Sequence, residues 1–217
     1  METNLVSVGL DRVKVRRLLL KEQILFAAAQ EMNERGVKFT IDSVAARLGI
    51  SKKTVYQYYP SKDMIITSII DAALADIEAQ EIQALERQCD FVSKLTAIIT
   101  VEPRIFGKIN YWVLDDIKRY RPQEWERINR FRQERVTDIA CMLEAGIASG
   151  HIRPINTNVA AKMLLSTCAE LLDYRFLDTN NLTFGDALKA LNDIFQFGVL
   201  AEPDACKDNV NIVENKI

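Results

Sequence analysis

The stretch TIDSVAARLGISKKTVYQYY, residues 40–59, leaves a chain little conformational freedom. Thr40 occupies an N-cap position and Asp42 the first turn, where the helix dipole favours an acid, so a short helix opens there and runs to Leu48. Gly49 closes it, because the turn that follows needs a residue tolerant of positive φ. Ser51 caps a second short helix, which must end near Tyr59 since Pro60 disfavours helical geometry in the residue before it. Two helices crossing steeply within so few residues need a small side chain at their closest approach, and Ala45 supplies it. Val44, Leu48, Ile50 and Val55 then face inward as a shared core. This is the spacing of a helix-turn-helix.

With that core turned inward, the second helix presents Lys52, Lys53, Thr54, Tyr56 and Gln57 outward. The set mixes phosphate-neutralising cations with side chains that can hydrogen-bond base edges. Gln57 suits a bidentate pair with adenine, Lys53 a donor to guanine, and the Thr54 methyl a contact with thymine. Lys62 stands at the start of the next helix, where the dipole disfavours a cation and so invites an external anion such as a DNA phosphate. A formal net charge of −2 argues against such a partner only if the charge is spread evenly. It is not: residues 1–62 carry 11 Lys/Arg against 6 Asp/Glu, and the remainder 17 against 24. A basic head on an acidic body is the pattern of a polyanion-binding module joined to something else.

Few glycines and prolines among many Leu, Ile, Ala, Glu, Lys and Arg residues predict an all-α chain. The first dozen residues are expected to form a flexible arm. From Val13, the spacing of Leu20, Ile24, Ala27, Ala28 and Met32 predicts an amphipathic helix, ended by Gly36. Ser61 caps a fourth helix with no breaker before about Gln88, long enough to connect head to body. Further helices are expected near 91–101, 103–119, 122–148, 157–177 and 183–199, and a frayed tail after Pro203. The organisation expected is an N-terminal three-helix helix-turn-helix head over residues 13–62 and a C-terminal helical bundle over residues 63–202.

Residues from about Leu18 to Ile65 resemble the DNA-binding domain of the tetracycline-repressor (TetR) family of bacterial regulators. The resemblance is carried by Ile24-Leu-x-Ala-Ala28, Gly36, Thr40, Val44-Ala45, Gly49-Ile-Ser51, Val55-Tyr56, Tyr58-Tyr59 and Ser61-Lys62-Asp63. Tyr59 stands where phenylalanine is commoner, and Lys53 where glycine or proline often sits. The resemblance implies phosphate contacts from Thr40, Tyr56, Tyr58 and Lys62, and base or groove contacts from Lys52, Lys53, Thr54 and Gln57. It further implies a homodimer on a palindromic operator in double-stranded DNA, paired through the last two helices, with middle helices that enclose a pocket for a small-molecule inducer. Repression relieved by that inducer is the expected function.

In the body, Val159, Met163, Leu164, Leu171, Leu188, Leu191, Ile194, Phe195 and Val199 exceed what a one-sided surface helix needs, as a two-fold four-helix interface would require. A monomer core explains them nearly as well. Phe106, Trp112, Trp125, Met142, Cys168 and Tyr174, with Tyr111 and Phe131, offer aromatic and soft side chains for a mostly apolar pocket, and Asn110, Thr167 and Glu170 a few polar contacts. Bulky residues at helical spacing are more often packing than lining. An apolar or amphipathic inducer is the corresponding expectation. The run Glu124, Glu126, Arg127, Arg130, Arg132, Glu134, Arg135 alternates in sign at helical spacing, as on a solvated face.

Other function classes find little support. The one histidine, His151, sits in the Gly150–Pro154 turn without a nucleophile or carboxylate in a recognisable motif, so no enzyme is expected. Cys89, Cys141, Cys168 and Cys206 form no close pair, which argues against a metal knuckle or redox pair and for reduced, mostly buried thiols. No cofactor is implied. No apolar run reaches membrane-spanning length and no cleavable leader is evident, so no membrane partner and a cytoplasmic location are expected. The alternative is a helical interaction module whose head has lost DNA binding, against which the retained lysines speak.

Overall fold

Ile24, Ala27, Ala28 and Met32 all lie buried on the inner face of one helix, α1 (Arg12–Arg35). The structure is a computed structural model and describes residues 12–87, 90–107, 110, 112–171 and 174–199. Next come α2 (Ile41–Leu48), α3 (Lys52–Tyr58), α4 (Lys62–Arg87), α5 (Phe91–Ile99), α6 (Trp112–Tyr120), α7 (Pro122–Ala148), α8 (Thr157–Glu170), α9 (Tyr174–Thr179) and α10 (Phe184–Val199). Among the described residues there is no strand, and the fold is all-α as the composition predicts. The expected N-terminal arm up to residue 11 and the expected tail after Pro203 lie outside the described residues, as do Cys89, Tyr111 and Cys206.

Two predicted helices come out differently. The helix expected over 103–119 begins only at Trp112. The Asp76 carboxylate takes the backbone N–H groups of both Arg104 (2.6 Å) and Ile105 (3.1 Å), and Gly107 adopts φ +75° with its N–H on the Arg104 carbonyl. A left-handed residue inside the stretch ends helical continuation, and the contact that stabilises the turn comes from 28 residues away, out of reach of local periodicity. The helix expected over 157–177 stops at Glu170, and a separate six-residue helix, α9, follows. Apolar spacing continues across that break, so periodicity gives no sign of it. The thiols also depart from expectation: Cys168 is half-buried, and Cys141 is exposed on α7.

The chain packs as two units, one comprising residues 1–83 and 101–131, the other 84–100 and 132–217. In the first, Ile24, Phe39, Val44, Val55, Ile65, Ile66, Val113 and Ile117 share one core, so α6 and the start of α7 pack with the head helices. In the second, Leu95, Ile139, Leu143, Ile152, Ala161 and Leu164 form the core. At its turn, Gly146 lies so close to Phe91 and Ile152 that an added Cβ would come within 2.4 Å and 2.8 Å of their side chains. These units of packing have other bounds than the expected division into residues 13–62 and 63–202.

At the end of α1 the chain turns through a short 3₁₀ segment, Gly36–Lys38, with Gly36 at φ +67°. The Val37 N–H donates to Asp116 Oδ2 of α6 (3.1 Å), and the Gln30 amide donates to the Phe106 carbonyl (3.1 Å). A Cβ at Gly36 would lie 2.0 Å from Asp116 Oδ2 and 2.9 Å from the Trp112 ring. Gly36→Ala therefore combines backbone strain of about 1–3 kcal/mol with displacement of the Asp116 carboxylate. Gly150, at φ +77° with open space around it, carries the strain without the crowding. Thermal unfolding should show Gly36→Ala melting below Gly150→Ala, each kcal/mol being worth about 2–4 °C in a chain of this length. Equal melting points would show that Asp116 yields freely.

Candidate nucleic-acid interface

Each cap expected from the sequence forms. Thr40 Oγ1 accepts from Ser43 N (3.0 Å), Ser51 Oγ from Thr54 N (3.0 Å) and Ser61 Oγ from Met64 N (3.1 Å), giving α2, α3 and α4 defined starts. Gly49 takes φ +65° between α2 and α3, and the Ile50 N–H returns to the Ala45 carbonyl (3.0 Å). Val44 and Val55 are completely buried, Ala45 nearly so, and Leu48 and Ile50 pack against them half-buried. Seven residues are too few for a helix stable alone in water, so α3 owes its existence to this core.

The inward side of α3 being spent on Val55, its outward side is what the spacing predicts. Lys52, Lys53, Tyr56 and Gln57 are exposed, Thr54 and Tyr58 half-buried, and Thr40 exposed at the start of α2. The surface is not uniformly free. Lys52 Nζ is paired with Asp42 Oδ2 at 2.8 Å, a hydrogen bond that raises its pKa, so part of its charge is answered within the protein. The Thr54 hydroxyl shares a hydrogen bond with the Ser51 hydroxyl (2.8 Å), so it is engaged within the protein. Lys53 has no carboxylate partner among the described residues.

Lys62 is held differently. Half-buried, with its ammonium 4.7 Å from the Phe39 ring centroid, it has a pKa lowered by burial and by the nearby Arg121 charge, with Asp63 opposing. Asp63 itself is engaged by Arg121 at 2.6 Å. A partly desolvated cation at a helix start, next to a second cation, is stabilised by an incoming anion.

A buried carboxylate missed in the sequence braces this arrangement. Glu31, 3% exposed on α1, accepts from Arg47 Nε of α2 at 2.8 Å, while Arg47 Nη2 reaches both Glu34 oxygens at 2.8 Å and Arg35 approaches Glu31 at 3.4 Å. Its position one turn beyond Ala27 and Ala28, on the apolar face of α1, is the signal that could have revealed it. Tyr59, buried and with its pKa raised mainly by that burial, ties the end of α3 back to α1 through a hydroxyl bond to the Lys21 carbonyl (3.4 Å).

The residues expected to line a ligand pocket fall in both packing units. Phe106 is buried in the first core, with Trp112 and Trp125 packed against it and Lys118 5.7 Å from the Trp125 ring centroid. The exposed Asn110 donates its amide to the Asn33 carbonyl at the end of α1. Met142 packs on the second core, and Cys168 is half-buried on α8, its pKa raised by burial against the opposing charges of Arg135 and Arg132. The side chain of Tyr174 lies outside the described residues. Within the charge run, Glu126, Arg130 and Glu134 form an exposed stripe, but Arg127 is tied to Glu124 and Asp71, and Arg132 has its pKa lowered by burial. The solvated face is thus narrower than the sequence implies. His151 bonds through Nδ1 to the Ser149 hydroxyl (2.8 Å) and stacks on Phe91, a turn-stabilising arrangement.

Residues 24–69 match the pattern described as bacterial regulatory proteins, tetR family. The uncharacterized HTH-type transcriptional regulator YvaF of Bacillus subtilis is 24% identical over 187 residues, covering 86% of this chain and 98% of that protein. An uncharacterized HTH-type transcriptional regulator of Mycobacterium tuberculosis is 26% identical over 150 residues, 66% of this chain and 75% of that one. Among solved structures, a TetR transcriptional regulator from Chloroflexus aurantiacus has a TM-score of 0.69 at 18% identity, covering 86% of this chain and all of that one. A putative transcriptional regulator from Saccharomonospora viridis in complex with choline has a TM-score of 0.69 at 17% identity, covering 85% and 99%.

The Glu31 brace predicts a pH dependence. Burial by itself would raise its pKa, but the hydrogen bonds from Ser43 and Arg47 and the charges of Arg35 and Arg47 hold it below the ordinary glutamate value. A lowered folded pKa means stabilisation that is full above the unfolded value of about 4.3 and is lost as pH falls through the folded value. Glu31→Gln should cost about 1–3 kcal/mol at neutral pH, and the difference from wild type should shrink as the pH is taken below the unfolded value of about 4.3. Thermal melts on both sides of that value measure this; a gap independent of pH would mean the charge of Glu31 is not what braces α2.

Proposed function

This chain belongs to the tetR family of bacterial transcriptional regulators, and on that premise we propose that it binds a palindromic operator as a homodimer, represses transcription there, and is released by a small-molecule inducer. Residues 13–62 carry the DNA contact and residues 63–202 the ligand and dimer functions. The observation that carries this reading is the outward face of α3, where Lys52, Lys53, Tyr56 and Gln57 stand exposed on a helix anchored by the fully buried Val55. On this face Gln57, Lys53 and Thr54 read bases, and Lys52 adds charge at the groove. Thr40, Tyr56, Tyr58 and Lys62 position the head on phosphates.

Support for the dimer comes from apolar side chains left without cover. Val159 and Met163 on α8, and Ile194 and Phe197 on α10, are 53%, 64%, 72% and 91% exposed, while Leu164 and Leu188 from the same helices are core. So many large apolar groups on the last long helices are explained by a second copy of the chain. Phe197, which the sequence pattern overlooked, is the most exposed of them. No helix among the described residues is long and apolar enough to cross a membrane.

Release by ligand requires differential affinity: the inducer must favour the DNA-incompetent placement of the connector α4, and by linkage operator DNA must weaken inducer binding by the same factor. The choline complex of the Saccharomonospora viridis protein supports a small organic molecule as effector. The soft and aromatic residues Phe106, Trp112, Trp125, Met142, Cys168 and Tyr174, with Asn110, favour an apolar or amphipathic compound.

Selection of tight binders from a random duplex pool tests the reading. Enrichment of one palindrome is expected; no enrichment would favour a helical interaction module that has lost DNA binding. On the selected duplex, Lys62→Ala should lower the salt slope of binding by about 1.8, one phosphate in each of the two subunits at about 0.9 each, across all sequences, while Gln57→Ala should relax preference at one base position of each half-site. Identical behaviour of the two variants would refute the division between positioning and reading. Ile194→Glu with Phe197→Glu should yield monomers by light scattering, with operator affinity falling about 10²–10⁴-fold as the second head is lost. A dimer that survives both changes would place the interface elsewhere.

A further inference from the structure

Between α1 and the end of α3 lies an open groove of about 310 Å³ lined by Arg17, Leu18, Lys21 and Tyr58. Arg17 and Lys21 are one helical turn apart and both exposed, so their charges project along the same side of α1. On its protein side the Tyr59 hydroxyl donates to the Lys21 carbonyl, and Lys21 Nζ stands 5.6 Å from the Tyr59 ring centroid. Among the described residues, neither Arg17 nor Lys21 is ion-paired with a carboxylate, so both charges on this groove are left for a partner. Two unanswered cations beside a phenol and an exposed Leu18 make a surface complementary to a phosphodiester strand: charge for phosphate, a hydroxyl donor, and an apolar side chain for the sugar edge.

We infer that this groove is a second DNA-backbone contact, in which Arg17 and Lys21 neutralise phosphates and the Tyr58 hydroxyl donates to one of them, continuing the path of the recognition helix onto α1. The inference rests on the reading of the head as a duplex-binding module. It adds residues that precede the matched family segment, residues 24–69, and that no sequence motif singled out. Because Arg17 and Lys21 lie on α1 and act here on phosphates, the groove's contribution is to affinity and its salt dependence, with base preference left to α3.

The test uses the full chain and the duplex enriched from the random pool, with flanking sequence on both sides. Arg17→Ala with Lys21→Ala, two exposed substitutions whose folding is checked by thermal melting, should lower the slope of log affinity against log salt by about 3.6, two phosphates in each of the two subunits at about 0.9 each. The palindrome that the double variant enriches should be the wild-type one. Exchanging the two cations, Arg17→Lys with Lys21→Arg, should retain the wild-type slope. A double alanine variant with an unchanged slope overturns the inference, and so does an altered palindrome, which would make the groove a reader of bases. Should the wild-type chain bind no duplex at any salt, the regulator reading falls first and this inference with it; an unchanged slope beside tight wild-type binding removes the groove alone.

Discussion

Burial of Val55 against Val44 and Ala45 is the contact on which the outward face of α3 depends. A helix of seven residues has no independent stability, so the positions of Lys53, Tyr56 and Gln57 in space are those that this small core permits. Around it the structure adds directional bonds in place of further apolar area. The Thr40 and Ser51 caps fix where the helices begin, Gly49 fixes the angle between them, and Arg47 fastens α2 to Glu31 and Glu34 of α1. Hydrophobic burial alone would hold α3 in place but leave its rotation loosely specified, whereas caps and charged hydrogen bonds have preferred geometry.

The same economy extends to α6. Its residues Val113 and Ile117 enter the core of the head, Asp116 takes the Val37 N–H, and Trp112 lies against Gly36, so an element from the middle of the chain holds the corner where α1 ends and the helix-turn-helix begins. Backbone at Gly36 is left-handed and too crowded for any side chain, which makes the corner a fixed joint. Placing a rigid joint next to a marginal helix is physically sensible: the short recognition element then inherits its orientation from a body of much larger buried area.

Electrostatics separates two kinds of cation on the head. Arg47, Arg121 and Lys52 are paired with carboxylates, and their job is cohesion at a modest net gain for exposed groups. Among the described residues Lys53, Lys62, Arg17 and Lys21 have no carboxylate ion pair, and Lys62 is further destabilised by burial and by Arg121. Only the second kind has charge left over for a polyanion. The basic balance of residues 1–62 therefore overstates the positive field that a partner would meet, and the distribution of partners shows where that field is concentrated.

The helix-turn-helix, its caps and its outward residues were legible in the sequence because they depend on local rules: a cap oxygen, a glycine at positive φ, a small residue at a crossing, each acting within a few positions. Gly36 and Pro60 punctuated the chain for the same reason. What tertiary structure decided are the features whose partners lie far apart in sequence. Asp76 turned the stretch before Trp112 away from helix, Asp116 of α6 closed the corner at Gly36, Glu31 went into the core because Arg47 could meet it there, and Phe197 was left outside while Leu188 went in. Periodicity reports which face of a helix is apolar, not what will cover it; that depends on which distant segment arrives, and only the folded chain brings the two together.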